Sequence, residues 1–140
     1  MKKLVYSIII LVVSFASFSI YSQLNNNDAV GEITIIIVDE IGDTVSSKTY
    51  DFTKEDTLFS ILQDNYEIGC ADSSYHITTV CEPLLFNSRV ILKVNSVETD
   101  WTNTFIAVYE NDEYSNYGID SISLNDGDVF RFEYSLVGGE

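Results

Sequence analysis

The stretch TKEDTLFSILQDNYEIG (residues 53–69) is the part of the sequence that decides the fold. Its apolar residues recur at the spacing of a helix, whereas those elsewhere alternate or form short β-branched runs. These residues are Leu58, Phe59, Ile61, Leu62 and Tyr66. The candidates for the N-cap are Thr53, Asp56 and Thr57, and Gly69 is the expected stop. The pattern predicts a single helix around residues 56–66.

Strands are predicted on both sides of this helix. EITIIIVDE (32–40) is a β-branched run typical of a central strand, and TVSSKTYDF (44–52) returns as the second strand of a hairpin. Further strands are predicted at 77–80, 89–95, 104–110 and 128–136. The remaining connections, at 70–88, 96–101 and 111–118, are expected to be loops and turns. This order predicts an α+β fold, a β-grasp-like mixed sheet crossed by a single helix, rather than a sandwich.

The N-terminus has the layout of a secretory signal. Two lysines precede an apolar run from Leu4 to Tyr21, and cleavage is expected after Ser22. The alternative is an uncleaved anchor, because about 18 apolar residues nearly span a bilayer. The predicted organisation is a signal at 1–22, a polar spacer at 23–31, the domain at 32–136 and a tail at 137–140. Both alternatives place the domain in the extracellular space or at the cell surface.

The charge of the chain excludes some partners. With 22 acidic and 7 basic residues, the formal net charge is −15. Nucleic acid is not expected to bind, because phosphate binding needs clustered Lys and Arg. Adhesion to an anionic membrane is also not expected, so membrane contact would come only from an uncleaved N-terminal segment. Solubility of an exported protein explains such a charge.

The two cysteines, Cys70 and Cys81, close a short loop. In an oxidising compartment a disulfide is favoured, with two free thiols as the alternative. A metal site is not expected, because the cysteines and His76 lack the paired spacing of a zinc site. The sequence has no phosphate loop, H-E-x-x-H or G-x-S-x-G, and NDGD (125–128) is interpreted as a tight turn. Neither catalysis nor a cofactor is therefore predicted.

Aromatic residues in loops are the candidate binding residues. The aromatic residues that we expect in the core are Phe105, Phe130 and Phe132, which alternate along strands. Trp101, Tyr114 and Tyr117 lie instead among polar residues, so we expect them to be at least partly exposed and gathered at one end of the sheet. Loop aromatics on a rigid sheet provide a surface on which a flat apolar ligand stacks.

A longer pattern covers the same region. Trp101 precedes a strand ending in Tyr-x-Asn (109–111), Gly118 follows after a short loop, and LNDGDVFRFEY (124–134) closes the sheet. With DTLFSIL (56–62) upstream, the chain resembles the bacterial transcobalamin-like C-terminal domain family. Domains of that family are similar to the small β-grasp-like domain of transcobalamin and gastric intrinsic factor.

The resemblance implies binding of a small ligand, with cobalamin as the candidate. The expected ligand-binding residues are Trp101, Tyr109, Asn111, Tyr114, Tyr117 and Gly118. The expected function is an exported, non-catalytic module for a corrinoid or another flat, partly apolar ligand. The alternative is an extracellular protein–protein interaction module that docks on a surface protein or pairs through an exposed sheet edge.

Overall fold

The computed structural model describes residues 28–138, so the predicted signal and most of the spacer lie outside the described residues. The strands are β1 (Gly31–Val38), β2 (Thr44–Phe52), β3 (Ile68–Ala71), β4 (Ile77–Thr78), β5 (Ile91–Val94), β6 (Val97–Glu98), β7 (Thr104–Glu110), β8 (Glu113–Tyr114) and β9 (Val129–Leu136). One α-helix, α1 (Leu58–Asn65), and one 3-10 helix (Ile119–Ser121) complete this part of the chain. No helix within residues 28–138 is long and apolar enough to cross a membrane.

The larger sheet has five strands in the order β2-β1-β9-β7-β8. β1 and β9 are parallel at its centre, and the other neighbours are antiparallel. The first strand of a hairpin therefore lies beside the last strand of the chain, which is the β-grasp-like arrangement. The alternating residues of the central strands point into the core, with Ile35 and Ile37 of β1 and Phe130 of β9 all 0% exposed. The α+β prediction is confirmed.

The helix packs its apolar side into the same core. It starts at Leu58 because Thr57 caps it: the Thr57 hydroxyl accepts a hydrogen bond from the Ser60 amide at 3.0 Å, and the Ser60 hydroxyl accepts one from the Thr57 amide at 2.9 Å. It ends at Asn65, and the next residue, Tyr66, is already extended. The Tyr66 hydroxyl accepts a hydrogen bond from the Tyr50 hydroxyl at 3.0 Å. Burial of the Tyr66 side chain raises the pKa of its hydroxyl.

Gly69 is not the helix stop that the sequence suggested. It lies in β3, where a Cβ would come within 2.8 Å of Ile77 and 3.0 Å of Lys93. The glycine therefore serves close packing between strands rather than helix termination. The helix ends at Asn65, four residues before Gly69, and the chain then enters β3, which pairs with β5.

A second sheet replaces part of the expected long loop. Its four strands have the order β4-β3-β5-β6 and are all antiparallel. The expectation that 70–88, 96–101 and 111–118 contain only loop and turn, apart from 77–80, is wrong. Part of β3 and all of β6 lie in the first two segments, and β8 of the larger sheet lies in the third. These strands have two to four residues, too short for a period to show in the sequence. The described residues thus form two sheets where one was expected.

The disulfide between Cys70 and Cys81 is confirmed. Cys70 is fully buried in β3, and the Cα atoms of the pair are 5.2 Å apart. The bond ties the connection between β4 and β5 to the buried strand. Disulfide bonds persist in oxidising compartments, so this bond indicates an oxidising, extracellular-type environment.

Candidate functional site

An open groove of about 600 Å³ lies where β5 of the smaller sheet meets β7 of the larger one. The tight turn Leu85–Ser88 and the start of β5 line one side. β7, the end of β8 and the segment 115–121 line the other side. The groove therefore depends on both sheets, and no single stretch of sequence contains it.

The structure brings four of the six predicted residues to this groove, namely Trp101, Tyr114, Tyr117 and Gly118. Tyr114 and Tyr117 are 52% and 70% exposed, and Trp101 is half-buried. Phe105, which we expected in the core, is also half-buried and lines the groove. The prediction assigned Phe105 to the wrong face of β7: the next residue, Ile106, packs in the core, and successive strand residues point to opposite faces.

Trp101 lies in a polar loop that is held by hydrogen bonds to Asp100. The Asp100 carboxylate accepts hydrogen bonds from the amides of Asn103 at 2.8 Å and of Thr102 and Thr104 at 3.0 Å. These bonds hold the pKa of Asp100 well below its usual range, and the bonds from Asn103 have the largest effect. The ordered loop places Trp101 in the left-handed region, with φ of 62°. Its side chain packs on the cluster formed by Ala71, Val90 and Leu92.

A second aromatic ring supports the tryptophan. The Tyr75 ring lies parallel to Trp101, with ring centroids 6.0 Å apart and an interplanar angle of 4°. Tyr75 also has a positive φ, of 61°. Its turn is held by the Asp72 carboxylate, which accepts hydrogen bonds from the amides of His76 and Ser74, and these bonds lower the pKa of Asp72. The Trp101 side chain therefore has packing partners within the protein, namely the Tyr75 ring and the apolar cluster.

Phe86 is a groove residue that the sequence reasoning missed. It is 100% exposed at the tip of the Leu85–Ser88 turn, where Phe86 and Asn87 have φ of 49° and 58°. Two successive positive φ values are typical of a type I′ turn, and the Ser88 amide closes it by donating to the Leu85 carbonyl at 2.8 Å. A phenylalanine in the left-handed region is uncommon. The only hint in the sequence is the Asn-Ser pair just before a strand.

A polar cluster lies beside the groove. The Asp120 carboxylate accepts hydrogen bonds from the Arg89 amide at 2.7 Å and from the Arg89 guanidinium. The Arg89 Nε donates to the Cys81 carbonyl at 3.0 Å, and the guanidinium lies 4.3 Å from the centre of the Phe59 ring. One arginine thus joins the 3-10 helix, the disulfide loop and α1. No local pattern could reveal it, because Arg89 and Asp120 are 31 residues apart.

Gly118 has a packing role within the groove. A Cβ built on it would overlap the Ser88 side chain. Its φ of −65° is open to other residues, so space rather than backbone conformation requires the glycine here. Gly118 lets the two sides of the groove approach each other.

Tyr109 and Asn111 lie outside the groove. The Tyr109 ring is covered by the Arg131 guanidinium at 4.3 Å. The Asn111 side chain donates to Asp128 and accepts from the Val129 amide, each at 2.9 Å. These contacts tie the β7–β8 hairpin to the turn before β9. The two residues therefore belong to the fold, and we leave them out of the candidate site.

Direct metal coordination has no support in the described part of the chain. Residues 28–138 contain no group of three or more His, Cys, Asp or Glu side chains that could hold a metal ion. The carboxylates of the NDGD turn are bound to protein donors: Asp126 accepts from the Glu32 amide at 2.9 Å, and Asp128 accepts from Asn125 and Asn111. The turn thus fixes β9 beside β1.

No protein-family model and no curated protein matches this chain. Its resemblance to the transcobalamin-like family therefore stays a prediction. Among solved structures the chain is similar to a protein from Ruminococcus gnavus ATCC 29149, described as "a putative metal binding protein". The TM-score is 0.52 at 15% identity, and the match covers 76% of this chain and 98% of that chain. At this identity the likeness is one of fold: the two proteins share the arrangement of sheets and helix.

Proposed function

We propose that the protein is an exported, non-catalytic module that binds a flat, partly apolar small ligand in the aromatic groove. The observation that carries this proposal is the convergence of Trp101, Tyr114 and Tyr117 on one groove. Its volume, about 600 Å³, falls in the range of small-molecule sites. The ordered Trp101–Tyr75 pair supplies a rigid face, and the exposed tyrosines supply the opposite rim.

A flat ligand suits this geometry better than an elongated chain. Parallel stacking on an immobile ring costs little conformational entropy, because Trp101 is already ordered by its loop and by Tyr75. Each aromatic contact adds about 0.5–1.5 kcal/mol beyond the area that it buries. The two exposed tyrosines can rotate onto the second face of the ligand.

A corrinoid is the ligand that we put forward first. Its support is the resemblance of the sequence pattern to the transcobalamin-like family, together with a fold of the β-grasp-like kind. Export is supported by the signal-like N-terminus and by the disulfide. Direct coordination of a metal ion by side chains of this protein is not part of the proposal, because residues 28–138 offer no cluster of ligands for an ion.

Titration with cyanocobalamin tests the proposal. Trp101 is the sole tryptophan, so its emission reports on this groove without interference. We expect saturable quenching with one site by isothermal titration calorimetry, and free N-acetyltryptophanamide corrects for light absorbed by the ligand. Tyr117→Ala should weaken binding, whereas Ile41→Ala, at a turn residue that is 76% exposed, should not. Absence of heat and of specific quenching would reject the corrinoid.

Protein–protein interaction is the second candidate function. The complete exposure of Phe86 on a rigid turn favours it, because exposed aromatics on ordered loops act as binding anchors. The direct test is sedimentation of the wild type and of Phe86→Ala over a range of concentrations. A dimer that the substitution removes would support this function over ligand binding.

A further inference from the structure

The groove differs in charge from the rest of the protein. The chain has 22 acidic residues, yet the residues that line the groove are apolar, aromatic, hydroxyl-bearing or amide-bearing, with one arginine. The polar groups along it are the side chains of Ser88, Ser115, Asn116 and Ser121 and the two tyrosine hydroxyls. All of these groups are uncharged at neutral pH.

The charge of the single arginine is already paired within the protein. The Arg89 guanidinium is paired with Asp120, its Nε donates to the Cys81 carbonyl at 3.0 Å, and its plane lies over Phe59. Asp120 is used in the same pair and also accepts from the Arg89 amide. The two opposite charges therefore neutralise each other beside the groove.

We infer that the groove selects an uncharged ligand with a flat apolar face edged by hydrogen-bonding groups such as amides or hydroxyls. This inference rests on the proposed function, and it adds the chemical class of the ligand. An anionic group would lose hydration without gaining a free cation, and the net charge of −15 would repel it. A cationic group would find no carboxylate among the residues that line the groove, and Asp120, next to the lining residue Ile119, is already paired with Arg89.

Two matched pairs of probes test the inference by calorimetry. The first pair is cyanocobalamin and its monocarboxylic derivative, in which one side-chain amide is hydrolysed. The second is chitohexaose, which is neutral, and a hyaluronan hexasaccharide, which is anionic. In whichever pair binds, we expect the neutral probe to bind at least about tenfold more tightly than the charged probe. This factor is the scale expected for one unpaired buried polar group. Its affinity should change less than about twofold between roughly 0.05 and 0.5 M NaCl.

A charge placed in the groove should reverse the preference. Ser121→Lys adds a cation at a lining residue, and Ser123→Lys adds the same charge at an exposed residue outside the lining. We expect only Ser121→Lys to raise the affinity for the anionic probe to that of the neutral one. Tighter binding of the anionic probe to the wild type, or equal effects of the two lysines, would overturn the inference while leaving ligand binding intact. If neither pair binds, the proposed function fails and this inference fails with it.

Discussion

The two sheets contribute to one core, but they are held together in different ways. The larger sheet has four strands of seven to nine residues whose ladders run almost their full length. The strands of the smaller sheet have two to four residues, and a disulfide and the Arg89–Asp120 pair tie their connections down. Backbone pairing along long strands stabilises the first sheet, whereas the second sheet has shorter ladders and additional side-chain bonds that hold its connections.

The difference is also visible in the backbone. Most of the non-glycine residues with positive φ lie in connections that follow strands of the smaller sheet: Tyr75, Phe86, Asn87, Asn95 and Trp101. Three of these carry aromatic side chains at or beside the groove. A regular sheet can therefore serve as a rigid support while irregular connections carry the candidate site.

The largest effect is expected from the same substitution made in both regions. Phe130→Ala in β9 should lower the free energy of unfolding by about 3–5 kcal/mol, because it leaves a cavity at a fully buried position. Phe86→Ala should change it by no more than about 0.5 kcal/mol, since Phe86 is fully exposed. Urea unfolding measures both. Equal losses would show that the turn is part of the stable core after all.

Removal of the disulfide should have the next largest effect. Replacing Cys70 and Cys81 together by alanine should cost about 3 kcal/mol of unfolding free energy, the value expected for closure of a loop of this length. Reductant should cause a similar loss in the wild type and none in the double variant. A double variant as stable as the wild type would mean that the smaller sheet does not depend on this bond.

Substitutions of groove aromatics should separate binding from stability. Tyr117→Ala should weaken ligand binding by about 1–3 kcal/mol while leaving unfolding unchanged, because the ring is 70% exposed. Trp101→Ala should weaken binding by a similar amount and also lower stability, because Trp101 packs on Val90 and Leu92. Titration calorimetry and urea unfolding of both variants provide the measurement. Loss of stability in Tyr117→Ala would contradict the assignment of that ring to the rim.

The smallest effect concerns pH. The pKa of Asp100 is lowered in the folded state, so its contribution to stability is present above the ordinary carboxyl pKa of about 3.9 and is lost as the pH falls below that value. Asp100→Asn should therefore be less stable than the wild type at neutral pH, and the two should converge on acidification. Unfolding followed by Trp101 emission at several pH values tests this. A difference that is independent of pH would exclude the carboxylate as the cause.

The sequence was sufficient to predict the elements that have a long periodic pattern. β2 and β7 have the predicted bounds, and α1 lies inside its predicted range, because their patterns extend over seven or more residues. β3, β6 and β8 were missed because two to four residues give no period. The division into two sheets follows from which short strands pair, and pairing between distant segments leaves no trace in local composition.

For the candidate site, the sequence by itself determined that Trp101, Tyr114 and Tyr117 are aromatic residues among polar neighbours and therefore not ordinary strand core. Only the tertiary structure decided that they share one groove with Phe86, and that Tyr109 and Asn111 do not. The physical reason is distance along the chain. The groove forms where two sheets meet, and beside it lies a pair of charges 31 residues apart, which only the folded backbone can bring together.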